Sequence, residues 1–201
     1  MKRKIVIATM NDHKASEIRD LIGDRYDVLT QRSFSIPSVP ETGKTFEENA
    51  LIKATEVSEK TGLLTLADDS GLEVDLLEGK PGVYSARYAG PDATDAENNN
   101  KLLMELEEFK DERIIARFES VIALIDPLDG SKNIFQGRWD GQIIFNPRGK
   151  NGFGYDPLFY IQELKTTAGE LNQAEKNKYS HRASAMRKVA YYLAKKKFEA
   201  E

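Results

Sequence analysis

A chain of 201 residues, 40% apolar and 31% charged, has the length for one sizeable domain and the polarity of a globular protein. Its formal net charge of −4 argues against a nucleic-acid duplex as partner, which usually needs a basic face, while a small anion needs only a local basic pocket. The lack of cysteine removes disulfides, thiolate metal sites and thiol nucleophiles. No apolar run approaches the about 20 residues of a membrane span, and the stretch between Lys4 and Asn11 is too short for a signal peptide, so the cytoplasm is the expected compartment.

In chain order, Lys4-Ile5-Val6-Ile7-Ala8-Thr9 reads as a buried strand that opens into Met10-Asn11-Asp12-His13-Lys14 and a helix to about Leu21. Asn11 and Lys14 then sit where helix N-terminal amides favour an anion. A second strand is expected over Tyr26–Thr30, and the Pro37- and Pro40-bearing segment from Ser33 to Thr42 is a loop. Thr45 with Glu48 forms a capping box for a helix whose buried stripe is Phe46, Ala50, Ala54 and Val57. Lys53 lies on or beside that stripe, either snorkelling to the surface or pointing into a cleft.

Leu63–Leu66 reads as a short buried strand followed by Ala67-Asp68-Asp69-Ser70-Gly71. Two carboxylates there are either a site or an Asp-Ser-Gly turn that caps backbone amides. The period-2 pattern of a strand sends Asp68 and Asp69 to opposite faces, one to anchor and one to project. Farther on, Ala93–Phe109 is helical with a polar Asn98-Asn99-Asn100 run. Ile114–Ile125 and Ile134–Phe145 form an antiparallel pair, Phe153–Pro157 is a loop, and Ser180 caps a final helix to about Phe198. Lys195–Lys197 read as its solvated, dipole-complementing end. The pattern is one α/β domain with a mixed sheet.

Two motifs are decoys. Gly43-Lys44-Thr45 lacks the glycine and the preceding strand of a phosphate-binding P-loop. Asp126-Pro127-Leu128-Asp129-Gly130-Ser131 is similar to the metal-binding signature of the fructose bisphosphatase and inositol phosphatase group. There it precedes a helix; here strand follows, so a hairpin turn is expected. His13 and His181 are too far apart for a local metal spacing, and His181 beside Arg182 at a helix start offers donors to an oxyanion or a carbonyl.

Ordered blocks run through the chain: Ala8-Thr9-Met10-Asn11 with Lys14 and Glu17; Glu41–Ala50 with Lys53-Ala54; Ala67–Leu72; Pro81–Gly90; Ala116-Arg117-Phe118; Gly149–Pro157; and Glu175-Lys176-Asn177 with Ser180-His181-Arg182. Together they resemble the inosine triphosphate pyrophosphatase family, the dITP/XTP pyrophosphatases. The resemblance implies a single domain over residues 1–201, with a long twisted mixed β-sheet flanked by helices and two lobes around a central substrate cleft. It implies Mg²⁺-dependent hydrolysis of ITP, dITP and XTP to monophosphate and pyrophosphate by a homodimer without nucleic-acid or membrane partners.

Carried over by residue, Asp69 is the expected base and Glu41 with Asp69 the metal carboxylates. Thr9, Met10, Asn11, Asp12, His13, Lys14, Ser70, Phe153, Gly154, Tyr155, Asp156, Lys176, His181 and Arg182 are the expected substrate contacts. Lys53 gains a catalytic reason to face inward, as one of three cations, with Lys14 and Lys176, for the phosphate charge. His181 and Arg182 would donate to the 6-oxo group of the base, with Phe153 and Tyr155 against its ring. Met10 stands where glycine is common in the family, and a positive φ there would strain it.

Overall fold

The computed structural model describes residues 2–196. One seven-stranded sheet has the order β2-β1-β3-β4-β5-β6-β7. Its strands are β1 (Arg3–Ile7), β2 (Tyr26–Thr30), β3 (Leu64–Val74), β4 (Ile114–Asp126), β5 (Ser131–Ile143), β6 (Phe159–Ile161) and β7 (Thr166–Thr167). The helices are α1 (Asp12–Ile22), α2 (Phe46–Thr61), α3 (Asp95–Leu106), α4 (Gln173–Tyr179) and α5 (His181–Lys195). β1 pairs in parallel with both β2 and β3, whereas β5–β6 and β6–β7 are antiparallel, so the sheet is mixed. Among the described residues, no helix is long and apolar enough to cross a membrane.

The chain divides into two compact units. The first takes residues up to Asp69, Ser120–Gly137 and the stretch from Arg182 onward; the second takes Ser70–Glu119 and Arg138–His181. In the first, Ile5, Val6, Ile7 and Ala8 are all buried, as a parallel strand covered on both faces requires. Ile5 and Ile7 join Leu64, Leu66, Ile122 and Leu124 under Ile18 and Ile22 of α1 and Ala185, Met186, Val189 and Leu193 of α5. In the second, Leu72, Val74, Ile114, Ala116, Phe118, Trp139 and Phe159 pack with Leu102 and Leu106 of α3.

The capping box at Thr45 is present: its side chain accepts from Glu48 N–H, and α2 ends on Gly62 in the left-handed conformation. Its buried face is the expected stripe plus Asn49, Lys53 and Ser58. Four residues separate β4 from β5, with Gly130 at φ 69°, which is the hairpin turn anticipated at Pro127–Gly130.

Several elements differ from the sequence reading. The strand expected to stop at Leu66 continues to Val74, so Asp68, Asp69, Ser70 and Gly71 are strand interior and not a turn. α4 was not anticipated, although Asn172 and Glu175 form its capping box. Lys196 is not a solvated helix end: its Nζ lies 2.8 Å from both Asp126 Oδ2 and Asp129 Oδ2. Lys197 and the expected helix end at Phe198 fall outside the described residues.

Candidate active site

Asp68 and Asp69 are successive residues of β3, and their side chains diverge as the pleat requires. Asp68 is fully buried, a placement that costs several kcal/mol for a lone carboxylate. Its Oδ1 accepts from Ser120 Oγ at 2.5 Å, and its Oδ2 meets Lys14 Nζ at 3.0 Å and Arg182 at 3.2 Å. Burial alone would raise its pKa, but Arg182 and Lys14 hold it well below the usual carboxylate range. Glu17 of α1 takes the other arm of the Arg182 guanidinium. Arg182 is therefore clasped between two buried carboxylates, which raise its pKa against the effect of burial.

Asp69 faces α2. Lys53 Nζ donates to Asp69 Oδ1 at 2.8 Å, to Glu41 Oε1 at 2.7 Å and to the Asp68 carbonyl at 2.9 Å. Those contacts engage all three ammonium protons. Lys53 therefore neither snorkels outward nor stands as an unspent phosphate cation: it ties Glu41 to Asp69. Burial opposes its charge, and the two carboxylates overcome that and raise its pKa. Asp69 is raised in turn, by burial first and by the Glu41 charge, against the pull of Lys53 and Lys14.

Asp69 Oδ2 is buried and has no hydrogen-bond partner. A carboxylate oxygen left without a donor is costly unless something else fills its coordination. Oxygen donors from two carboxylates suit a hard cation such as Mg²⁺, which takes one or two carboxylates and completes its shell with waters and phosphate oxygens. Among the described residues no group of three or more His, Cys, Asp or Glu side chains is arranged to hold a metal without such help. The donor set fits a metal that arrives with a phosphate.

The loop from Thr9 to Lys14 leads from β1 into α1. Asn11 caps the helix by accepting from Lys14 N–H at 3.0 Å, and its own N–H donates to Thr9 Oγ1 at 3.1 Å. Met10 is not among the residues of positive φ, so methionine carries no backbone strain where glycine is common. Its carbonyl accepts from Arg32 at 2.9 Å, and Asp12 and His13 are exposed on the first turn.

The second unit gathers another set. Lys176 Nζ donates to Asp156 Oδ2 at 2.6 Å, and both residues are buried. Asp156 Oδ2 also accepts from Phe153 N–H at 3.0 Å, closing the Phe153–Asp156 turn. Gly152 is required beside it, because a Cβ there would lie 1.9 Å from Asp156 Oδ2. Lys176 stands 4.8 Å from the centroid of the Phe153 ring, a cation–π contact. His181 stacks on Phe118 with centroids 4.9 Å apart. Tyr155 differs from expectation: its ring belongs to the core and its hydroxyl donates to the Ser85 carbonyl at 2.8 Å. Ser70 follows Asp69 in β3, at the start of this unit.

A sequence model of the Ham1 family matches residues 5–192. The chain belongs to the Ham1 family. It is 48% identical over 189 residues to the dITP/XTP pyrophosphatase of Vibrio cholerae, covering 93% of this chain and 94% of that one. The dITP/XTP pyrophosphatase of Coxiella burnetii is 46% identical over 192 residues, covering 94% and 96%. The solved structure of a HAM1 protein from Coxiella burnetii superposes with a TM-score of 0.88 at 45% identity, covering 96% of this chain and all of that one. The Staphylococcus aureus Ham1 protein gives 0.86 at 39% identity, covering 97% and 100%.

Within this Ham1 chain, the sequence reading assigned no role to Glu17, Asp68, Ser120, Asp95 or Asn99. The period-2 argument sent Asp68 and Asp69 to opposite faces without saying which of them anchors. Nothing local signals that Glu17 meets Arg182 across 165 residues of sequence. The phosphatase-like motif is accounted for by cations: Asp126 accepts from Arg3 through both oxygens at 3.0 Å and from Lys196 at 2.8 Å, and a strand follows it.

Proposed function

We propose that the chain is a metal-dependent nucleoside triphosphate pyrophosphatase that hydrolyses dITP, XTP and ITP to monophosphate and pyrophosphate. The observation that carries this reading is the Glu41–Lys53–Asp69 cluster with the unpartnered Asp69 Oδ2. The names of the Vibrio and Coxiella relatives supply the substrates. Residues 1–201 act as one catalytic domain, in a cytoplasmic homodimer without nucleic-acid or membrane partners.

In this scheme Glu41 and Asp69 hold Mg²⁺, which when bound supplies charge neutralisation at phosphate oxygens and a more acidic water. Asp69 takes a proton from the attacking water as its oxygen bonds to the α-phosphorus. The α–β bridging bond breaks, and its electron pair leaves on pyrophosphate. Lys53 is a positioning residue that keeps two carboxylates from repelling each other. Thr9, Met10, Asn11, Asp12 and His13 form the phosphate loop at the head of α1, with Lys14 held by Asp68, and Ser70 beside Asp69 completes the phosphate contacts.

Phe153 and Lys176 take the base, with Gly154, Tyr155 and Asp156 contributing through the turn. His181 and Arg182 supply donors for the 6-oxo group, Arg182 being oriented by Glu17 and Asp68. Adenine presents an amino group at that position, and a buried donor facing it costs about 1–3 kcal/mol, which favours the oxo purines.

The test is a panel of XTP, ITP, dITP, GTP and ATP with Mg²⁺, pyrophosphate and orthophosphate being measured separately. Pyrophosphate from the first three, at far higher kcat/KM than from GTP or ATP, is expected. Orthophosphate as the sole product would overturn the reading.

A further inference from the structure

The Asn98-Asn99-Asn100 run sits in the second turn of α3, where asparagine is among the poorer helix formers. Two of the three have side-chain work there. Asn98 is buried, accepts from Ala89 N–H at 2.8 Å and donates to the Ala86 carbonyl at 3.2 Å. Asn99 donates through Nδ2 to the carbonyl of Gly154 at 3.0 Å. Asp95, one helical turn earlier on the same face, accepts from the N–H of Gly154 at 2.6 Å. Both backbone polar groups of Gly154 are therefore gripped by one helix through an i, i+4 pair.

Gly154 lies at φ 62° between Phe153 and Tyr155, in the turn that Asp156 and Lys176 close from the other side. An acidic residue in a first helical turn is ordinarily there for the helix dipole. That role needs no partner, whereas the Asp95 carboxylate meets the Gly154 N–H at short range. A mid-helix asparagine has no dipole role at all. Asp156 and the buried Tyr155 hold the far side of this turn, and Asp95 and Asn99 hold it at Gly154, the residue next to the Phe153 ring.

The geometry points to Asp95 and Asn99 as positioning residues that fix the Phe153–Asp156 turn, and through it the affinity and base selectivity of the enzyme. This rests on the reading of Phe153 as a wall for the base. Asp95 and Asn99 belong to the second unit and the Glu41–Lys53–Asp69 cluster to the first, so the effect is expected on KM and not on the phosphorus chemistry.

The experiment compares Asp95→Ala, Asp95→Asn, Asn99→Ala and Phe153→Ala in the full-length enzyme, by steady-state kinetics with ITP and XTP and by amide exchange at Gly154. Asn99→Ala raises helix propensity, so a defect there is not helix loss. Removing one such hydrogen bond is expected to raise KM about tenfold, with kcat within about twofold. Asp95→Asn, which keeps an acceptor oxygen, should restore most of the affinity. Faster exchange of the Gly154 amide is expected in Asp95→Ala and not in Asp95→Asn.

Unchanged KM in both alanine variants, a loss confined to kcat, or equal defects in Asp95→Ala and Asp95→Asn would each overturn the assignment. If Phe153→Ala itself leaves KM unaltered, the base-wall reading falls. The clasp is then judged on exchange alone: Gly154 protection lost in Asp95→Ala and kept in Asp95→Asn upholds it, and equal protection in the two overturns it.

Discussion

Two pairs of aspartates lie in or at the end of neighbouring strands, Asp68 with Asp69 in β3 and Asp126 with Asp129 at the β4–β5 turn. At the turn every carboxylate oxygen has a partner. Asp126 meets Arg3, Lys196 and Leu128 N–H, and Asp129 meets Lys196 and Ser131 N–H. In β3, Asp68 is likewise saturated by Ser120, Lys14 and Arg182. Asp69 alone keeps an oxygen with no hydrogen-bond partner, while Lys53 holds the other. Residue type and adjacency do not separate these two aspartate pairs; the open oxygen of Asp69, beside a second carboxylate held by the same lysine, does. The phosphatase-like motif is a clasp joining the start of β1 to the end of α5, and Asp69 is the proposed site.

The contrast is broken most severely at Asp69. Asp69→Asn keeps the shape but neither takes a proton nor binds a metal as well. Pyrophosphate release should fall beyond the ~10²–10⁴-fold typical of one general base, with the melting temperature little changed. Near-normal turnover in a folded Asp69→Asn protein would remove Asp69 from the mechanism. Next comes Lys53→Met, which leaves Glu41 and Asp69 facing each other without a cation. A loss on the order of 10²-fold in kcat/KM is expected, partly relieved at higher Mg²⁺ concentration. Loss that no Mg²⁺ concentration relieves would point to direct contact with substrate instead.

The clasp responds in stability. Asp126→Asn should lower stability by about 2 kcal/mol in urea unfolding, because two cations lose a partner, and should leave kcat unchanged. Its pH dependence has a defined sign. Burial works against the Asp126 charge, but Lys196 and Arg3 hold its pKa below the ordinary 3.8. The stabilisation is therefore complete above 3.8 and lost as pH falls through the lower folded value. Melting curves of wild type and Asp126→Asn should converge below that pH; a gap that persists in acid would mean the loss is one of packing. Asp129→Asn, at an exposed position, should change activity and melting temperature least of all.

The sequence carried much of this in local pattern. Divergent faces for Asp68 and Asp69, the capping box at Thr45 and the hairpin at Pro127–Gly130 follow from spacing and turn chemistry alone. The length of β3 did not, because Asp and Gly are poor strand formers and the ion pairs that hold Asp68 and Asp69 are tertiary. Lys53 was legible as a lysine on a buried stripe, but its work with Glu41 and Asp69 requires the folded chain. The Lys196 clasp lies 70 residues from Asp126, and periodicity does not report partners at that distance. α4 was the avoidable omission, since Asn172-x-x-Glu175 is a readable start signal. Asp95 and Asn99 offered only polarity until Gly154 was placed beside them.

The measurement that bears most directly on the difference between the two aspartate pairs is calorimetric titration of Mg²⁺ in the presence of a non-hydrolysable ITP analogue with a carbon or nitrogen bridge between the α- and β-phosphates. Wild type and Asp129→Asn should bind the ion equally, and Asp69→Asn should bind it at least tenfold more weakly, as expected when a metal loses one of its few carboxylate ligands. Undiminished Mg²⁺ binding in Asp69→Asn, or its loss in Asp129→Asn, would contradict the assignment.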